Sequence, residues 1–434
     1  MNAKFSFLSL LLLVLFSTQV SLANESAAML TRKAVSTNAA ESTAAIEELR
    51  SLGPAGLEAL LAQHADEINR QIADPKLGSD QEWQRIARAL DLVGQQKNNF
   101  ISGLYWYTDI EEAKKAALET QKPILSLRLL GNLTDELSCA NSRFFRTVLY
   151  PNAQIRDILR ERFVLHWRSV RPVPRITVDF GDGRKLERTV AGNSIHYILD
   201  SNGRLIEALP GLYGPAAFQR GLADAETLFR SLAGKVGGAR NVFLSHYYRD
   251  RSYKISLAWR ADTKQFGDRI PERLRVPSIQ DRDALSIGPV AATKMVTERP
   301  IARAITSASD ALGRLTDEQA WSLIAALHQA DSLLDVRSIS LIKRQNRSLS
   351  NSDMFRMIQR FQESISVDTV RNEYILRPTL YGWISAEINR ADLEKFNEMV
   401  YGSLFLTPSS DPWLGLLSPD VYVAVDDGDA VKGR

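Results

Sequence analysis

The stretch from Asp109 to Leu232 constrains the fold more than any other part of the chain, because its hydrophobic pattern repeatedly changes period. Asp109 to Gln121 (DIEEAKKAALETQ) has an acidic first turn and strong helix formers, which predicts a helix that ends at Lys122-Pro123. Ile124 to Leu130 is then a compact apolar run of strand length. Helix-forming sequence follows over Ser138 to Leu149 and Ala153 to Arg162, and Phe163 to Trp167 is strand-like again. Two hairpins come next, one across Arg175 to Arg188 turning at Gly181-Asp182-Gly183, the other across Ile195 to Leu209 turning at Asp200-Ser201-Asn202-Gly203. Pro215 to Leu232 closes the region as a helix. The order helix, strand, helix, strand, hairpin, helix implies an α/β layer with a mixed sheet flanked by helices.

Both flanks read as helical. On the N-terminal side Leu57, Leu60, Leu61, His64 and Ile68 share one helical stripe, and Ile46, Leu49 and Leu52 form a shorter one before Gly53-Pro54, which together predict a helical hairpin. No second ligand shares the face of His64, so it reads as a core histidine. On the C-terminal side Asn241 to Trp259, Ile301 to Leu312, Asp317 to Leu334, Asp353 to Ile365 and Asp392 to Tyr401 are helix candidates, with Thr316 and Gln319 as a capping box for the third. Residues 262–300, with four prolines and several apolar residues, read as an ordered loop. A chain of 434 residues has room for two or three domains. The division expected is a leader at 1–23, a helical region at 24–100, an α/β domain at 101–236 and a helical domain at 237–434.

Lys4 followed by the apolar run Phe5 to Phe16, with small residues at Ser21 and Ala23, is the pattern of a secretory leader cleaved before Asn24. That run has twelve residues, against about 20 needed to span a bilayer, so no membrane span is expected after cleavage and the mature chain is assigned to the periplasm or the exterior. Fifty-four Lys and Arg against 51 Asp and Glu give +3, which excludes a dedicated nucleic-acid binder. One cysteine and five scattered histidines exclude an internal disulfide, a four-thiolate zinc site and an iron–sulfur cluster, so neither metal nor cofactor is expected.

The middle region resembles the thioredoxin superfamily, and within it the exported thioredoxin-like domains. The likeness runs from about Leu104 to Ala233. It is carried by Trp106 before Ile110-Glu111-Glu112-Ala113, by Lys122-Pro123-Ile124-Leu125, by Cys139-Ala140-Asn141-Ser142-Arg143 in place of Cys-x-x-Cys-Lys, and by Ile198 to Gly203 with Gly211-Leu212-Tyr213. The resemblance puts Cys139 at the position of the attacking thiol, at the N-terminus of a helix where unpaired amide groups and the charges of Arg143 and Arg146 would favour a thiolate.

Three features depart from that pattern. Ser142 stands where the resolving cysteine would be, so an internal dithiol cycle is excluded and any exchange must be of monothiol type, with Ser142 supporting the thiolate. Asn193-Ser194 replaces the proline expected opposite the thiol, which changes the edge where peptides would dock. About six extra residues separate Pro123 from Cys139, placing the loop Gly131 to Leu137 over or beside the thiol. Two functions follow. In one, Cys139 captures exported proteins or small thiols as a thiol–disulfide oxidoreductase of monothiol type. In the other, the domain is a non-catalytic interaction or binding module on a degenerate thioredoxin-like fold. Residues 143–188 hold eleven basic and five acidic residues, so Arg168, Arg171 and Arg175 are also a candidate seat for an anionic ligand, or else a solvated face.

Overall fold

Helices dominate this computed structural model, which describes residues 27–74, 80–189, 192–270, 318–387, 392–405 and 407–410, and a small mixed sheet of four strands lies among them. The leader at 1–23, the helix Ile301 to Leu312, Thr316 of the capping box and most of the loop 262–300 lie outside the described residues. The chain divides into two units, Met1–Tyr107 with Thr134–Glu136 and Thr108–Leu133 with Leu137–Arg434. Among the described residues no helix is long and apolar enough to cross a membrane, and no cluster of three metal-ligating side chains occurs.

The first unit is built from α1 (Ala39–Ser51), α2 (Pro54–Gln63), α3 (Ala65–Ala73) and α4 (Gln81–Gly94). Asn38 caps α1 by accepting from the amides of Ala40 and Glu41. Gly53 turns the chain with φ of 66°, and Pro54 opens α2, so the expected break holds. The stripe through His64 does not form one helix: the chain breaks at His64 itself, which ends α2 and precedes α3. Leu57, Leu60 and Ile68 still share a core with Leu49, Ile86, Leu90 and Val93, because the break re-aims α3 without removing its apolar face from that core. His64 is buried, and burial lowers its pKa despite Glu67. Trp106 is buried in this unit and donates from Nε1 to Gln96 at 2.9 Å, so it packs with the helices of the first unit.

The second unit begins with α5 (Ile110–Thr120), capped by Asp109, whose carboxylate accepts from Glu111 and Glu112. It continues through β1 (Ile124–Leu130), α6 (Ala140–Phe144), a π turn at Phe145–Leu149, α7 (Ala153–Arg162) and β2 (Val164–Arg171). The hairpin β3 (Arg175–Asp179) and β4 (Lys185–Thr189) forms a separate two-stranded sheet. Then come β5 (Ser194–Leu199), β6 (Leu205–Pro210) and α8 (Pro215–Ser231). The four-stranded order is β2-β1-β5-β6, with β1 parallel to β2 and antiparallel to β5, and β5 antiparallel to β6. Every residue of β1, β5 and β6 is buried, as expected of strands covered on both faces.

The remaining helices are α9 (Gly237–Phe266), α10 (Glu318–Leu327), α11 (Val336–Gln345), α12 (Asn351–Arg371), α13 (Arg377–Glu387) and α14 (Leu393–Met399). Their own core gathers Trp259, Trp321, Ile324, Val367 and Val370. They are bonded to the sheet region at several buried points. Asn372 donates to the Leu212 carbonyl at 2.6 Å, and the amide of Gly214 donates to Thr369 Oγ1 at 2.7 Å. Gly211 has φ of 72°, and a Cβ there would lie 2.7 Å from Asn372, so glycine permits this close approach.

Candidate functional site

Cys139 sits where the sequence places it, immediately before α6, and its amide donates to the Leu130 carbonyl at 3.4 Å. The setting differs from the expectation in two respects. The α-helical segment is only five residues long and passes into a π turn at Phe145, which breaks the continuous amide alignment that would stabilise a thiolate. Cys139 is also 0% exposed. The accessible nucleophile expected from the sequence is therefore not presented in this conformation. Buried Tyr150 and Tyr401 flank it electrostatically: burial raises both hydroxyl pKa values, and Cys139 adds to each shift.

The neighbouring positions are engaged in internal bonds. Ser142 Oγ donates to the Cys139 carbonyl at 3.1 Å and bonds Ser138 Oγ, so it is engaged by backbone and by another serine. Arg146 is buried and reaches Ser138 Oγ at 3.1 Å, and Arg143 donates to Thr189 Oγ1 at 3.0 Å. The peptide between Asn193 and Ser194 is trans. Asn193 Nδ2 donates to Thr407 Oγ1 at 3.1 Å, its carbonyl accepts from Tyr401, and Ser194 Oγ accepts from Asn141 at 2.9 Å. The edge expected to dock a partner's backbone thus carries residues from this chain's own C-terminal region.

The basic strip is similarly occupied. Arg168 pairs with Glu394 at 3.3 Å, Arg171 donates to the Pro408 carbonyl at 2.7 Å, and Arg175 stands exposed on β3. The three arginines do not converge as a vacant anion cradle, because two are drawn to the C-terminal segment. Beneath them Arg128, 1% exposed on the central strand, pairs with Glu394 at 2.7 Å and donates to Ser126 Oγ at 2.6 Å. Ser126 then bonds His166 Nδ1 at 2.8 Å, and burial followed by Arg128 and Arg168 holds the His166 pKa down to about 3. His166 is neutral at physiological pH.

Beside the sealed cysteine lies a groove of about 850 Å³ between the α6 segment and helices α11 and α12. Apolar side chains face each other across it, Phe144 and Val148 on one side and Ile342, Ile358, Phe361 and Ile365 on the other, and charged residues including Arg143, Asp353, Arg356 and Arg360 also line it. Phe144 meets Phe361 edge-on at 6.1 Å between centroids, and Ser338 on α11 donates to the Val148 carbonyl at 3.2 Å. Two buried acceptors line this space without a donor among the described residues, Asn141 Oδ1 and Asp368 Oδ1. Asp368 is 4% exposed, and burial pushes its carboxyl up to about 8 although Arg371 pulls it down. A second cleft, of about 450 Å³ near Arg220, is balanced instead: Arg220 pairs with Asp331 at 2.6 Å and Arg377 with Glu373 at 2.9 Å.

Asp368 escaped the sequence reading, but a signal for it exists. Spacings of three and four residues put it on the same α12 stripe as Ile358, Phe361 and Ile365, an acid where the periodicity asks for an apolar residue. No family model matches the chain, and no curated protein or solved structure is similar enough to match.

Proposed function

We propose that this chain is an exported binding protein on a degenerate thioredoxin-like domain, non-catalytic at Cys139, whose partner is seated in the groove between α6, α11 and α12. The element order of residues 110–231, with its parallel first pair and antiparallel second pair, supports the thioredoxin-like reading. The observation that carries the function is the contrast at α6: Cys139 is wholly buried, while the next turn of the same segment opens onto a groove of about 850 Å³. That volume lies within the roughly 300–1,000 Å³ of small-ligand sites, which are likewise mainly apolar with a few placed polar groups. Monothiol exchange would require Cys139, wholly buried and close enough to Tyr401 to add to the burial effect that raises its hydroxyl pKa, to be uncovered before any disulfide could approach it in line.

The test uses the full-length protein and two probes. A limiting maleimide reagent should leave Cys139 unmodified in the native state and label it on unfolding. Nile red, a neutral apolar dye, should bind wild type and Cys139→Ser equally and lose binding in Ser364→Trp, which places an indole in the groove. Labelling of native Cys139 at the rate of a free thiolate, or dye binding indifferent to Ser364→Trp, would reverse the assignment.

A further inference from the structure

Resting on that binding role, we infer that the groove receives an amphiphile made of an apolar chain and a hydrogen-bond-donating cationic head, a primary ammonium, with the head on Asp368. The argument starts from the acid. Burying a carboxyl without a partner is costly, and such groups are ordinarily paired or hydrogen-bonded. Asp368 is buried on an otherwise apolar stripe, and its Oδ1 has no donor among the described residues. Asn141, on the opposite wall, spends its Nδ2 on Ser194 and leaves Oδ1 as a second acceptor lacking a donor. The interior of the groove therefore offers acceptors and asks for donors. An ammonium supplies three N–H groups and a positive charge that favours the ionised form of Asp368, so that binding releases the carboxyl proton to solvent and leaves a charge-assisted hydrogen bond, the stronger class.

Charge at the rim does not favour the opposite choice. Arg143 is bonded to Thr189, and Arg356 pairs with Asp353 at 2.6 Å. Arg356 and Arg360 are exposed, where solvent and salt weaken their pull on an anion. The apolar walls account for the rest of the ligand: Phe144, Val148, Ile358 and Ile365 line a space with room for an alkyl chain.

Dodecylammonium, dodecanoate and dodecanol, each below its micelle concentration, test the head at constant chain. Affinities are measured on the full-length protein by displacement of Nile red and by calorimetry. Dodecylammonium should bind roughly tenfold or more tighter than dodecanoate. The net charge of +3 biases non-specific attraction towards the anion, so a preference for the cation cannot come from it. In Asp368→Asn, which keeps the side-chain volume, the two ions should approach equal affinity while dodecanol is unchanged. Equal affinities in the wild type, a preference for dodecanoate, or a cation preference that survives Asp368→Asn would overturn the assignment of the head and leave the groove as a binding site. If neither Nile red nor any of the three amphiphiles binds, the binding role itself is overturned.

Discussion

Replacing Glu207 by Gln should destabilise the sheet and the C-terminal helices together. Glu207 lies on β6 with no exposed surface, and its carboxylate has four donors. The Ala208 amide donates to Oε1 at 2.9 Å, while Tyr247 at 3.0 Å, Tyr381 at 3.0 Å and Arg377 at 3.4 Å converge on Oε2. Arg377 is itself buried; burial works against its charge, and Glu373, Tyr381 and Glu207 outweigh that effect, so its pKa is raised. In Glu207→Gln the charge of Arg377 loses one of two carboxylate partners, and an amide NH₂ set towards the tyrosines would face donors. Removing one partner of a buried pair costs about 3–5 kcal/mol. Urea unfolding, followed by far-ultraviolet circular dichroism and by the fluorescence of Trp167 on the sheet with Trp259 and Trp321 among the helices, should show both probes shifting together. Adding Arg377→Met should recover about 2 kcal/mol relative to the sum of the single changes, because it removes the stranded charge. A loss under about 1 kcal/mol in Glu207→Gln, or a shift seen by only one probe, would refute the reasoning.

Asp368 carries a pH signature with a definite sign. Its folded pKa, about 8, lies above the unfolded value of roughly 3.9, so the folded state holds a proton that the unfolded state has released. Its contribution is whole below about pH 4 and declines by about 1.4 kcal/mol per pH unit as pH rises towards the folded value. Asp368→Asn should gain on wild type by that slope between pH 5 and 7 in urea titrations; parallel profiles would show that the acid is not buried as described. Asn193→Ala removes two hydrogen bonds to the Thr407 and Phe405 region. At about 1 kcal/mol each, their loss should raise native labelling of Cys139 by roughly 5- to 30-fold, and an unchanged rate would mean that this segment does not control access.

Local chemistry made much of the fold legible. Ile124 to Leu130 and Ala153 to Arg162 form the expected elements with those boundaries, since an uninterrupted apolar run and a cap at Asn152 are decided within a few residues. Both hairpins follow from their Gly and Asp turns. Helix ends were less legible: α12 runs from Asn351 to Arg371, beyond the periodic core of Asp353 to Ile365, because Ser350 caps it and its C-terminal half is buried on more than one face. What sequence could not supply was partnership at long range. Arg128 within ILSLRLL has no local reason to be buried, and its acid, Glu394, lies 266 residues away. Pattern alone names such residues as exceptions; only the fold provides their partners.

The same long-range bonds support the proposal that the resemblance at the cysteine does not carry thiol chemistry with it. A thiol exchanges only if a disulfide can reach it in line, and that condition belongs to the surface around the sulfur rather than to the four residues of the Cys-x-x-Ser stretch. Here that surface carries the chain's own residues. Asn193 and Arg171 hold Thr407 and Pro408, Tyr401 bonds the carbonyl of Asn193, and Arg128 and Arg168 hold Glu394. Each contact uses a group that would otherwise be free to meet a partner's backbone or an anion, so the C-terminal region fills the docking edge with the same chemistry a partner would use. The segment beginning at α6 also faces the groove towards α11 and α12, where Asn141 Oδ1 and Asp368 Oδ1 are acceptors without a donor among the described residues. On the proposed binding role, a chain that closes its cysteine and leaves acceptors in a groove has its recognition surface not at the sulfur of Cys139 but at the wall formed by Phe144 and Val148.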